Sequence, residues 1–259
     1  MACRIAHTVP SSRARRAAIV RRAFLGAVAA ALTGGLGSLP ARAEILRYDI
    51  SIRSLRVGQL VVSGQDSSGG YAVEGRMRAS GLIGAFVSAD YDASAQGILS
   101  GRGLIPRRAE LVDGMGRNRG SVILNWRGDV PVVAAASPER PPLPWDIEAA
   151  DQAGAVDPLS ALWEIGRAQP IDGLCNRVIA IFDGYRASRL TLANPVRQAD
   201  GRISCSGEWR RLAGYAPEDL AEGVRQGFTL SYLPDQEGLA RLTRMRAGTR
   251  YGPADLVRR

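Results

Sequence analysis

From Tyr48 almost to the C-terminus, apolar and polar residues alternate with a period of two in one short run after another. Tyr48, Ile50 and Ile52 fall on one side of an extended chain, while Asp49, Ser51 and Arg53 fall on the other. Successive side chains of a strand point to opposite faces, so this is the signature of a half-buried strand. The same pattern predicts strands over 57–65, 71–79, 90–99, 105–113, 119–127 and 130–136. It predicts them again over 175–183, 186–193, 202–210, 227–233, 239–247 and 249–256. Ser67-Ser68-Gly69-Gly70, Asp113-Gly114, Arg127-Gly128-Asp129 and Asp183-Gly184 supply the positive-φ or short polar residues that tight connections need.

The two groups of strands are separated by a different kind of sequence. Residues 137–155 open with Ser-Pro-Glu-Arg-Pro-Pro-Leu-Pro. Proline has no N–H to give to a ladder, so an exposed connection is expected here, placed to act as a lid. Asp157 then fits an N-cap, Pro158 the first turn, and Leu159, Leu162, Trp163 and Ile165 an apolar stripe, which predicts a helix over 157–166. Pro217-Glu218-Asp219-Leu220 is expected to open a short second helix. The expected fold class is mainly β: a large curved antiparallel sheet or open barrel of about ten to twelve strands, with one main helix packed on it. Neither an internal repeat nor a composition break divides residues 44–259, which read as a single β-rich domain.

Residues 1–43 read as a cleavable export signal. They carry seven arginines and no acid, then an apolar run from Ala23 to Leu32, then Ala41-Arg42-Ala43 ahead of Glu44. At about ten residues this run is too short to cross a bilayer, which takes about twenty. Arg21-Arg22-Ala23-Phe24-Leu25 resembles a twin-arginine signal, although a start at Val20 would leave a leader that ordinary secretion accepts. Cleavage after Ala43 and a periplasmic location are expected. All 34 basic residues are arginine, and 27 of them remain beyond position 43 against 25 acids. A nearly neutral domain offers no electrostatic footprint for nucleic acid. Nothing beyond the leader is long and apolar enough to predict a membrane span. Only Cys175 and Cys205 remain beyond the leader, and an oxidising compartment favours a disulfide between them over two separate buried thiols.

The single histidine is His7, inside the leader, and there is no lysine. A mature domain without either would build no Ser-His-Asp triad, His-ligated metal site, Cys-His pair or Schiff base. No cofactor and no metal are expected. A carboxylate pair is the remaining catalytic option, and Asp90 and Asp92 would share a strand face, but acids at strand starts are usually solvated or paired. Glu74 and Glu110 read as ordinary alternating strand residues.

Several segments carry a family resemblance. They are Tyr48-Asp49-Ile50-Ser51 with Val57-Gly58, Gly81-Leu82, Tyr91-Asp92, Leu104-Ile105-Pro106, Asp157-Pro158-Leu159-Ser160 and Phe182-Asp183-Gly184-Tyr185-Arg186. Together they resemble the bacterial family called domain of unknown function 3108, over most of the chain beyond the leader. The resemblance implies an exported envelope protein with a large curved antiparallel sheet, related to periplasmic lipoprotein carriers and sensors. It also implies a cysteine pair at Cys175 and Cys205. Tyr185 departs from it, standing where an arginine is commoner.

The expected function is that of a non-enzymatic periplasmic envelope protein binding a lipid or other hydrophobic ligand in a groove between sheet and helix. Trp163, Arg186, Arg244 and Arg246 are the candidate ligand-facing residues. Each has a plainer reading: Trp163 in a helix stripe against the sheet, Arg186 in a cross-strand pair, Arg244 and Arg246 as paired or solvated surface arginines. The alternatives are a structural or assembly protein engaging an envelope partner through a sheet edge, and, third, a carboxylate-dependent glycan-acting enzyme.

Overall fold

The computed structural model describes residues 42–80, 89–101, 103–115 and 118–259. The expected leader up to Ala41, and the Gly81-Leu82 segment of the resemblance, lie outside the described residues. Alternation at Tyr48 becomes strand β1 (Arg42–Ile52), with Leu46 and Tyr48 buried and Arg47 exposed. β2 (Leu55–Ser67), β3 (Gly70–Ala79), β4 (Ala89–Ser100), β5 (Gly103–Met115), β6 (Asn118–Arg127) and β7 (Val130–Ser137) follow as a meander. After a 3-10 turn (Ala149–Gln152), helix α1 (Pro158–Gly166) and the two-residue β8 (Gln169–Pro170) come β9 (Arg177–Phe182), β10 (Ala187–Arg197) and β11 (Ile203–Ala213). The second meander continues through short helix α2 (Pro217–Ala221), β12 (Arg225–Pro234), β13 (Leu239–Thr249) and β14 (Gly252–Arg258).

β1 pairs antiparallel with β14, Tyr48 opposite Arg258 and Ile52 opposite Ala254, so the two meanders join at mid-sheet. The order is β7-β6-β5-β4-β3-β2-β1-β14-β13-β12-β11-β10-β9, with β8 alongside β13. The sheet is antiparallel, curved and not closed, with fourteen strands among the described residues against the expected ten to twelve. The strand with no alternating segment of its own is β8, at two residues too short to leave that signal. Two expected turns also differ. Asp113-Gly114 lies within the ladder, Asp113 opposite Gly120 and Gly114 opposite Arg119, because pairing continues to Met115. At Asp183-Gly184 the strands end at Phe182 and resume at Ala187, so four residues rather than two make the connection.

Helix α1 is enclosed by the curved sheet rather than laid on it. Asp157 caps it as expected, accepting from the Ser160 N–H at 2.9 Å, with Pro158 in the first turn. Seven of its nine residues are buried, which a helix resting on one face of a sheet would not show. Glycine permits the close approach. A Cβ on Gly64 would lie 2.9 Å from the Trp163 ring, and one on Gly75 would lie 2.6 Å from Leu159 Cδ1. Several of the polar groups brought inside are paired. Glu164 meets Arg177 at 2.9 Å, the Trp163 indole donates to Asp66 at 3.0 Å, and Asp66 meets Arg167 at 3.1 Å. The last-turn carbonyl of Ile165 accepts from Tyr232 Oη at 3.0 Å and Gln169 Nε2 at 3.1 Å, satisfying an acceptor that helix geometry leaves free.

The edge strands β7 and β9 do not pair with each other, and the end of the proline-rich connection bridges the gap. Gly154 N–H donates to Asp129 O at 2.8 Å, and the Trp126 indole donates to Ala155 O at 2.9 Å. On the other side, Val156 exchanges backbone hydrogen bonds with Ala180 and Phe182 of β9, both at 2.9 Å. The connection is exposed along most of its length, as its prolines require, but from Ala155 onward it is buried. Among the described residues no helix is long and apolar enough to cross a membrane.

Candidate functional site

The β9–β10 connection is shaped by its own aspartate. Asp183 Oδ1 accepts from the backbone N–H groups of Tyr185 at 2.9 Å and Arg186 at 2.7 Å, which folds the chain sharply. Gly184 adopts φ +101°, and a Cβ there would lie 2.5 Å from Val122 Cγ1 of β6. Glycine therefore serves two purposes: it allows the left-handed turn, and it lets the loop touch the opposite flank of the open sheet.

Two other segments converge on this loop. From the proline-rich connection, Arg140 places its guanidinium 4.6 Å from the centre of the Tyr185 ring and binds both oxygens of Asp146, at 2.6 and 2.9 Å. The Arg140 guanidinium, with the Leu143 N–H, holds the Asp146 carboxyl below the usual carboxylate range. From the β11–α2 side, Tyr215 lies under Arg186 at 5.5 Å and meets Trp209 edge-on at 6.2 Å. Arg186 also lies 3.8 Å from Asp219.

These segments surround a cavity of about 920 Å³. Its sheet wall is Met77, Tyr91, Leu111 and Val122, faced by Leu143 and Trp145 of the connection, with Pro158 where α1 begins. Charge is also present in the lining: Asp113, Asp183, Glu218 and Asp219 against Arg140 and Arg186. Apolar walls with a few polar groups are the usual character of a small-molecule site. The Tyr91 hydroxyl is pushed above its ordinary range by burial, with the charges of Asp157, Asp183 and Asp113 adding to the effect, so it is present as a neutral phenol.

Behind Pro158 lies a buried polar chain. Tyr71 Oη is 2.6 Å from Ser160 Oγ, which donates to Asp157 Oδ2 at 2.5 Å. Burial raises the Asp157 carboxyl to about 6, against the opposing effect of its hydrogen bonds from Ser160. Because the folded state holds this proton more tightly than the unfolded chain, the linked stability is fully present below pH 3.8 and is lost as pH rises through 6. A shift of this size corresponds to about 2–3 kcal/mol. Urea unfolding at pH 4 and pH 7 is expected to show this loss in the wild type beyond that of Asp157→Asn, which keeps a cap but cannot ionise. Equal pH dependence in the two proteins would refute it.

The four expected ligand-facing residues fall in different places. Arg186 lines the cavity. Trp163 is 1 % exposed, packed against Gly64 and hydrogen-bonded to Asp66, and does not line it. Arg244 and Arg246 of β13 both bind Asp255 of β14, at 2.7 and 3.0 Å, away from the cavity lining. The carboxylates of Asp90 and Asp92 are engaged by Arg78, Asp92 through two bonds of 2.7 and 2.8 Å, which gives them a cross-strand pairing role. Cys175 and Cys205 form a disulfide with a Cα–Cα distance of 5.2 Å. Sequence reasoning missed Tyr91, Arg140, Trp145 and Asp219. The available signal for two of them was an arginine and a tryptophan placed within a proline-rich connection.

No family model matches the chain, and comparison with curated proteins finds no match. Among solved structures the chain is similar to a beta-barrel-like protein of domain of unknown function DUF1849 from Brucella abortus. The identity is 12 % and the TM-score 0.48, over 83 % of this chain and 95 % of that one.

Proposed function

We propose that the protein is an exported, non-enzymatic component of the bacterial envelope that holds an amphiphilic small molecule in the cavity bounded by the sheet, the proline-rich connection and the 183–186 loop. The observation that carries this reading is the cavity itself: about 920 Å³, with aliphatic and aromatic walls and charge among its lining residues. Export is supported by the form of residues 1–43 and by the disulfide, a bond that persists in oxidising compartments. The resemblance to domain of unknown function 3108 supports the same placement. A non-enzymatic role is supported by the want of histidine and lysine beyond the leader.

Native mass spectrometry of the protein purified from its own cell envelope is expected to show an added mass that organic solvent extracts. A fluorescent single-chain lipid is expected to bind the emptied protein at a ratio of one to one, and Tyr91→Trp, which narrows the cavity, is expected to weaken binding at least tenfold. Absence of both a co-purifying molecule and fluorescent-lipid binding would reject the reading. A second reading, assembly with an envelope protein through a sheet edge, has β7 in its favour, since β7 takes part in the ladder on one side alone among the described residues. Crosslinking from residues of β7 in cells would reveal such a partner.

A further inference from the structure

A second cavity of about 270 Å³ lies between α1 and the β9–β13 side of the sheet. Ala161, Leu162 and Ile165 of α1 form one wall, and Leu190 of β10 and Met245 of β13 belong to the other. Three residues line both this cavity and the larger one: Pro158, Asp183 and Arg186. Two of the three are held in place, Pro158 by the first turn of the helix and Asp183 by the two backbone hydrogen bonds it accepts. Arg186 is held more weakly. Its side chain is half exposed, its carboxylate contact with Asp219 is a long 3.8 Å, and it rests over the Tyr215 ring at 5.5 Å. Exposed ion pairs and stacked arginines of this kind cost little to rearrange.

We infer that the two cavities are the head and tail compartments of one site for a single-chain aliphatic amphiphile, with Arg186 as the side chain that yields to let the tail pass beneath α1. This rests on the reading of the larger cavity as a ligand site and adds the ligand class to it. The chemistry of the two compartments differs in the required way. The larger has six charged side chains in its lining, while the smaller, beyond the shared residues, is walled mainly by aliphatic and aromatic side chains. An alkyl chain entering it loses no hydrogen bonds and gains apolar burial, whereas a polar head would be left unsatisfied there. The smaller volume also sets a limit, so the gain per added methylene must stop once the compartment is full.

The test uses a series of single-chain phosphocholines of about eight to sixteen carbons, each below its micelle concentration, titrated against the whole protein. Affinity is expected to rise about fourfold per methylene and then level off when the tail compartment is filled. Leu162→Trp and, separately, Met245→Trp place bulk in the small cavity at residues that are only partly buried. Each is expected to bring the plateau to a shorter chain and to leave the shortest ligand bound as in the wild type, with unfolding curves confirming the native fold. Arg186→Ala is expected to speed entry of the longer chains. Failure of every member of the series to bind would reject the larger cavity as an amphiphile site. Binding without chain-length dependence, or with the same plateau in both tryptophan variants, would overturn the two-compartment assignment and leave the larger site standing. Loss of the shortest ligand in both variants would overturn it as well.

Discussion

Trp163→Ala is expected to destabilise the fold by about 3–5 kcal/mol, the range for removing a large aromatic side chain from a packed interior. Trp163 is the largest of the fully buried side chains, and it occupies the space that Gly64 leaves between β2 and α1. Three losses coincide. The favourable burial of the indole is lost, the cavity is bordered by a backbone that cannot collapse without breaking the β1–β2–β3 ladder, and Asp66 loses the indole N–H at 3.0 Å while remaining next to Arg167. Urea unfolding followed by far-ultraviolet circular dichroism measures the effect without relying on tryptophan emission, which the substitution itself alters. Trp163→Phe keeps most of the packing and removes the donor, so it is expected to fall well short of the alanine variant, at about 1–2 kcal/mol. A loss of less than 1 kcal/mol for the alanine variant would mean that α1 is not anchored at this point.

Removal of the disulfide, as Cys175→Ala with Cys205→Ala, is expected to cost about 3–4 kcal/mol, the value for a closed loop of this length on the chain-entropy account. The cysteines are 30 residues apart, and both are buried, Cys205 within the β11 ladder with β12, opposite Leu230. Cys175 belongs to the irregular segment between β8 and β9, which has few backbone hydrogen bonds of its own, so the bond fixes the approach to the edge strand β9. Among the described residues β9 has one ladder neighbour, β10, and otherwise only the Val156 bridge. The same variant is therefore expected to bind a fluorescent lipid more weakly, because the 183–186 loop hangs from the end of β9. Comparing unfolding midpoints of the oxidised wild type, the reduced wild type and the double variant tests this. A reduced wild type as stable as the oxidised one would sink it.

Much of the architecture is legible in the residues because its causes are local. Strand faces follow from the period of two, as at Tyr48, Ile50 and Ile52, and every main strand appears near its expected place. The helix start at Asp157-Pro158 follows from capping chemistry within four residues, and the short helix at Pro217 from the same preference for proline in a first turn. The disulfide follows from arithmetic on two cysteines. Local preference misleads where the ladder outweighs it. Asp113-Gly114 has turn chemistry, yet it stays in the sheet because each residue has a partner across β6.

What the amino-acid order determined by itself was a β-rich domain with one capped helix, a cysteine pair suited to bonding, no lysine, and no histidine beyond residue 43. All of these depend on neighbours close in sequence or on the presence of a residue anywhere. Only the tertiary structure decided that Trp163 is an anchor and Arg186 a cavity residue, that Arg244 and Arg246 share Asp255, and that Arg140, Tyr91 and Asp219 meet around one space. Those outcomes depend on β1 pairing with β14 and on the curvature that brings β6 within contact of Gly184. Both are contacts between residues far apart in the chain, and their energies come from packing that no local spacing encodes.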